Sequence, residues 1–106
     1  MAYDSTSSDA YFRAVGRLSS DYERRRTLSA LMKLRPNTPS VLTRVLRSSE
    51  FIGSDYELAS LLVEFARTVP VRGALREQYL KATRTIGSDY EYRRALQALL
   101  EQDRRS

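Results

Sequence analysis

Ser20-Asp21-Tyr22-Glu23 returns unchanged as Ser54-Asp55-Tyr56-Glu57 and again as Ser88-Asp89-Tyr90-Glu91, with 34 residues from each copy to the next. Ser followed three residues later by Glu is a capping box: the Ser hydroxyl accepts from the third helical amide, and the Glu carboxylate turns back to the Ser amide. Ser20 and Glu23, Ser54 and Glu57, and Ser88 and Glu91 are therefore read as structural caps, each pair opening a helix. Asp21, Asp55 and Asp89 suit the positive end of the helix dipole. Ile52-Gly53 and Ile86-Gly87 precede the second and third copies, and Leu18-Ser19 the first. The Ile-Gly pairs predict an apolar residue closing one helix and a left-handed Gly before the next. A cap contributes only about 1 kcal/mol, so these signals set boundaries and packing must supply the stability.

Apolar spacing around the caps predicts about six helices. The first runs over 8–18 with Tyr11, Ala14, Val15 and Leu18 on one side; the second from Ser20 to about Leu34 with Leu28, Leu31, Met32 and Leu34. Thr38 caps a third helix that has Pro39 at its first position and runs to about Phe51. The helix opened by Ser54 carries Leu58, Leu61, Leu62, Phe65, Ala66 and Val69, the most apolar stripe in the chain, and should be the most buried; Pro70 ends it. A fifth helix spans about 72–85 with Leu75, Tyr79, Leu80 and Ala82. The sixth has Ala95, Leu96, Leu99 and Leu100 ahead of a charged tail, Glu101 to Ser106. Met1 to Ser8 is polar and reads as frayed.

A shift of 34 residues aligns Leu28, Leu62 and Leu96; Leu31, Phe65 and Leu99; Leu18, Ile52 and Ile86; Tyr11, Val45 and Tyr79; and Pro36 with Pro70. Apolar positions recurring at a fixed period are what stacked helical hairpins require, since each hairpin buries its apolar face against a neighbour. The expected fold is all-α, an α-solenoid of HEAT-like helical hairpins. It forms one domain over 1–106, with half repeat 8–19, full repeats 20–53 and 54–87, and half repeat 88–106.

Composition removes several chemistries. With 106 residues, 42% hydrophobic and 29% charged, the chain fits one globular or solenoid domain. It holds no cysteine and no histidine, which removes thiolate and imidazole metal sites, disulfides and Ser-His-Asp arrangements. No cofactor and no enzymatic activity are expected. No stretch has the length and apolarity of a membrane span, and the start lacks a signal-peptide pattern. The net charge of +5 makes an anionic partner thinkable.

A 34-residue period is the tetratricopeptide length, but Phe65, Val69 and Arg72 stand where that family places small and aromatic signature residues, and its Trp is missing. Ile52-Gly53-Ser54-Asp55-Tyr56-Glu57, Ile86-Gly87-Ser88-Asp89-Tyr90-Glu91 and Ser20 to Arg26 instead resemble bacterial HEAT-like short α-helical tandem repeats. These include the repeats that follow the peptidase domain of BlaR1-type metallopeptidase-like membrane proteins. The resemblance covers nearly the whole chain and implies an accessory module without catalytic residues, extracytoplasmic only if the membrane-peptidase likeness holds.

Three surface features invite a functional label. Tyr22, Tyr56 and Tyr90 form a ladder that could serve peptides or bases; packing of the rings against the preceding helix is the favoured reading. The three Asp favour dipole matching over a metal, because helix packing keeps neighbours about 8–10 Å apart. Arg13, Arg47 and Lys81, equivalent under the shift, are the candidate binding residues, weighed against a solvated charged face broken up by Glu50 and Glu77. The expected function is a non-enzymatic protein or peptide interaction scaffold. It is read as a fragment of a longer array that self-associates end to end through open repeat ends. The alternative is nucleic-acid or other polyanion binding through the basic ladder.

Overall fold

Thr38 and Pro39 show how closely local chemistry sets the element boundaries. In a computed structural model of the protein, which describes residues 10, 12–14, 17, 20–34 and 36–105, Asn37 closes one helix and orders the turn into the next. Its Nδ2 donates to the carbonyls of Leu31 and Met32 at 3.0 and 3.1 Å, and its Oδ1 accepts from Thr38 N–H at 2.8 Å. The Thr38 hydroxyl then accepts from Val41 N–H at 3.2 Å, with Pro39 in the first turn. Five helices have defined bounds: α1 (Asp21–Met32), α2 (Pro39–Ser49), α3 (Asp55–Thr68), α4 (Ala74–Thr83) and α5 (Asp89–Arg105). A sixth helical stretch passes through residues 10 and 12–14, and there is no strand among the described residues. Tyr11, Val15 and Leu18, with the opening Met1 to Ser8, lie outside the described residues.

The all-α architecture has two rows. Helix α3 packs on α1 to one side and on α5 to the other, and α2 packs on α4 and on α1. The thin dimension of the molecule is 18 Å against 37 and 33 Å, about two helices deep. Apolar residues at helical spacing meet between the rows. Six residues of α3 are buried, more than in any other helix with defined bounds, as its stripe predicts. Leu28, Leu62, Phe65 and Val45 have no solvent exposure, and the aligned positions Leu31, Leu99, Ile52 and Ile86 are also buried. Tyr79 is sealed in the same core, and its hydroxyl donates to the Ala95 carbonyl at 2.6 Å. Burial pushes its phenol up, well away from any ionisation near neutrality.

Three details depart from the sequence-based expectation. Gly53 and Gly87 do not adopt the left-handed conformation; Gly73, with φ 56, is the one described residue with a positive φ. It opens α4 without a side-chain cap. The charged tail is also not a tail, because α5 continues to Arg105. Gln102 explains the extension: its Oε1 accepts from Val71 N–H at 2.7 Å, and its Nε2 donates to the Ala66 and Val69 carbonyls at 2.5 and 2.8 Å. One amide side chain thereby ties the end of α3 and the turn after it to the last turns of α5. Arg76 adds an ion pair to Asp103 at 3.0 Å. The third departure lies in the capping boxes at the starts of α1, α3 and α5.

Gln102→Ala should lower stability by about 1–3 kcal/mol, because the buried turn loses an acceptor and a donor together. Gln102→Glu should also destabilise, since it keeps the acceptor for Val71 but cannot donate to the two carbonyls. Urea unfolding midpoints at constant slope measure both; an unchanged midpoint for Gln102→Ala would refute the clamp.

Candidate interaction surface

Each Ser of the repeated tetrapeptide does cap its helix. The hydroxyls of Ser20, Ser54 and Ser88 accept from Glu23, Glu57 and Glu91 N–H at 3.3, 3.2 and 3.3 Å. The reciprocal half of the box is absent. Ser54 N–H donates to Asp21 Oδ2 at 2.9 Å and Gly53 N–H to Asp21 Oδ1 at 3.1 Å. One period later Ser88 N–H and Gly87 N–H donate to Asp55 Oδ2 and Oδ1 at 2.9 and 3.2 Å. A carboxylate at the start of one helix therefore grips, with both oxygens, the two amides that open the next helix of the same row. The amides that Glu57 and Glu91 would have reached are already taken, and these carboxylates go to arginines instead. Arg25 donates to Glu57, and Arg94 pairs with Glu91 at 2.9 Å.

The grip accounts for the Asp but not for the Gly. A Cβ on Gly53 would stand 3.4 Å from Asp21 Oδ2, and one on Gly87 3.6 Å from Asp55 Oδ2. Both are ordinary contact distances, so neither the approach of the carboxylate nor left-handed backbone requires Gly here. Sequence reading assigned the Asp to dipole matching and missed the bridge. The available signal was the joint recurrence of Gly, Ser and Asp, since a capping box needs only Ser and Glu.

Electrostatics follow the geometry. The amide of Gly53 holds the Asp21 carboxyl below its ordinary value despite partial desolvation, with help from Arg24, 3.0 Å away, and from Ser54 N–H. Between α1 and α3, burial alone would raise Glu64, but Lys33 at 2.7 Å and the Ser29 hydroxyl outweigh it and leave its carboxyl low.

The tyrosines correct a further expectation. Their rings do not pack away against the preceding helix; Tyr22, Tyr56 and Tyr90 are 49%, 60% and 74% exposed. Guanidinium groups cover the first two in part. Arg25 and Arg26 lie 5.4 and 5.7 Å from the Tyr22 centroid, and Arg94 lies 5.3 Å from that of Tyr56 while donating to Ser60 Oγ at 2.8 Å. Tyrosine and arginine thus alternate along the rim formed by the starts of α1, α3 and α5. Three aligned phenol rings stand open there.

Elsewhere on the surface, Arg13, Arg47 and Lys81 are exposed as expected. Arg47 and Lys81 sit on α2 and α4, which pack together, and Arg13 on the helical stretch before α1. None of the three has an ion-pair partner among the described residues. A cleft of about 260 Å³ lies at the C-terminal ends of α3 and α5, lined by Arg67, Arg72, Arg105 and Gln102. Both helix ends present carbonyl groups there, and Arg67 and Arg105 in the last turns offset that negative potential. Among the described residues no helix is long and apolar enough to cross a membrane.

Comparison with protein-family models, with curated proteins and with solved structures returns no match.

Asp21→Ala and Asp55→Ala should each destabilise by about 1–2 kcal/mol, the range for partly exposed hydrogen bonds to a charged group. The pH dependence has a definite sign. Asp21 is depressed in the folded state, so its contribution is complete above the ordinary carboxyl value of 3.8 and is lost as pH falls through the lower folded value. Unfolding curves between neutral and strongly acidic pH should therefore fall less steeply for Asp21→Asn than for the parent chain. Parallel pH profiles would argue against the bridge.

Proposed function

We propose that this chain is a non-enzymatic helical-repeat scaffold that holds a protein or peptide partner. Its stacked 34-residue units form an α-solenoid with the HEAT-like resemblance seen in the sequence. The observation that carries the reading is the rim of Tyr22, Tyr56 and Tyr90 beside Arg25, Arg26 and Arg94. Tyrosine and arginine dominate interface hot spots, because each offers a large stiff or planar surface with a polar end. Open rings repeated on successive packed helices suit an extended ligand that crosses them in turn. The two Asp bridges favour the same reading, since they hold the ring-bearing helix starts in fixed register.

Selection of a displayed random-peptide library on the immobilised chain, followed by anisotropy titration of recovered peptides, tests the proposal. The combined variant Tyr22→Ser, Tyr56→Ser and Tyr90→Ser should unfold at nearly the parent midpoint and bind about 30-fold or more weakly, the loss of about 2 kcal/mol that defines a hot spot. Recovery of no enriched sequence, or peptides indifferent to the triple variant, would sink it.

A second reading, polyanion binding, rests on Arg13, Arg47 and Lys81, exposed and without an ion-pair partner among the described residues. It requires that a labelled DNA strand bind with affinity falling steeply as salt rises, and that replacing the three cations by Ala flatten the slope. On the scaffold reading, DNA association is weak and the tyrosine variant leaves it unchanged.

A further inference from the structure

Asp89, the third copy of the Asp grip, holds no amide among the described residues. Helix α1 reads the start of α3 with two side chains one turn apart: Asp21 takes the Gly53 and Ser54 amides, and Arg25 takes the Glu57 carboxylate. Helix α5 carries the same pair at the same offsets, Asp89 and Arg93. Both are exposed, and neither has a hydrogen-bond or ion-pair partner among the described residues. The apolar positions beside them tell the same story. Leu28 on α1 and Leu62 on α3 have no exposure, whereas the aligned Leu96 on α5 is half-buried; Met32 and Ala66 are buried, whereas the aligned Leu100 is 57% exposed.

The complementary half lies at the other end of the same row. Ser20 caps α1 through its hydroxyl, but its own N–H, equivalent to those of Ser54 and Ser88, meets no acceptor among the described residues. Glu23, equivalent to Glu57, is exposed and has no ion-pair partner among the described residues. Arg26 corresponds to Arg94 two periods on, the residue that lies over Tyr56 of the preceding helix. The ring awaiting such a partner is Tyr90, the most open of the three at 74%.

We propose that a second copy of this chain docks the start of its α1 on α5 of the first. Asp89 accepts from Ser20 N–H, Arg93 pairs with Glu23, and Arg26 covers Tyr90, while Leu96 and Leu100 are buried beneath. The inference rests on the scaffold reading and names one of its partners. Donor and acceptor faces differ, so the contact is heterologous and runs head to tail, extending the row instead of closing a ring. Burial of the two Leu side chains drives the association, and the polar pairs set its register, as they do inside the chain.

Sedimentation velocity of the 106-residue chain over a wide concentration range tests this. Mass should rise with concentration in the parent. Asp89→Ala, and Arg93→Glu, which turns an ion pair into a like-charge contact, should each weaken association about tenfold or more with the unfolding midpoint little changed. Glu23→Arg should do the same, and Glu23→Arg combined with Arg93→Glu should restore association. A parent that stays monomeric throughout, or an association indifferent to these variants, overturns the inference. Peptide binding by monomeric Asp89→Ala separates the two proposals: if it persists while the parent does not associate, the scaffold stands and the second-copy contact falls.

Discussion

A carboxylate that accepts two consecutive backbone amides at a helix start is the constraint on which the rest of this molecule depends. At Asp21 and Asp55 it joins three effects that are each modest alone. The first amides of a helix have no intrahelical acceptor, the positive end of the dipole favours an anion, and both carboxylate oxygens are used. Asp is short enough that its own helix and the helix it grips must lie at a fixed offset. Residues elsewhere then keep that offset without having to create it: Arg25 meets Glu57, and Glu64 meets Ser29 and Lys33.

Hydrophobic burial supplies the free energy that this geometry directs. Helix α3 has neighbours on both sides within its row, and its Leu58, Leu61, Leu62 and Phe65 are closed to solvent. Apolar burial is nearly indifferent to register, since a Leu can pack in several grooves, whereas a bidentate carboxylate tolerates little displacement. The division of labour is therefore clear: the Leu and Phe stripe decides that the helices associate, and Asp with Gly-Ser decides how far along their axes they do so.

Period and composition made the helices legible because capping and apolar spacing act over a few residues. Thr38 and Pro39 at the start of α2, and the buried stripe of α3, follow directly from local rules. The Asp bridge was hidden for the opposite reason. Its two ends are 32 and 33 residues apart, and a first-turn Asp has a sufficient local explanation, so the sequence offers no demand for a distant partner. Gln102 is hidden likewise: in a charged segment after the last Leu, nothing local marks one amide as the clamp for a turn some thirty residues earlier. The tyrosines were misjudged because aromatic rings at helical spacing usually pack inward, whereas here the first turn of each row helix projects at the rim and Arg25 and Arg94 offer the ring faces a cation in place of a core.

Direction is the property that links the internal architecture to the surface. Each Asp reaches forward to the next helix start and never back, so every copy of the tetrapeptide has a donor side and an acceptor side. Between α1 and α3, and between α3 and α5, these sides consume one another. At Ser20 and at Asp89 they find no counterpart among the described residues, and these two halves sit at opposite ends of one row of helices. A two-fold contact between two α5 faces brings no helix-start amide to Asp89, because the Ser20 amide lies on α1 at the other end of the row. The proposed head-to-tail contact would supply that amide, and any other helix that begins as α3 and α5 begin would supply it equally.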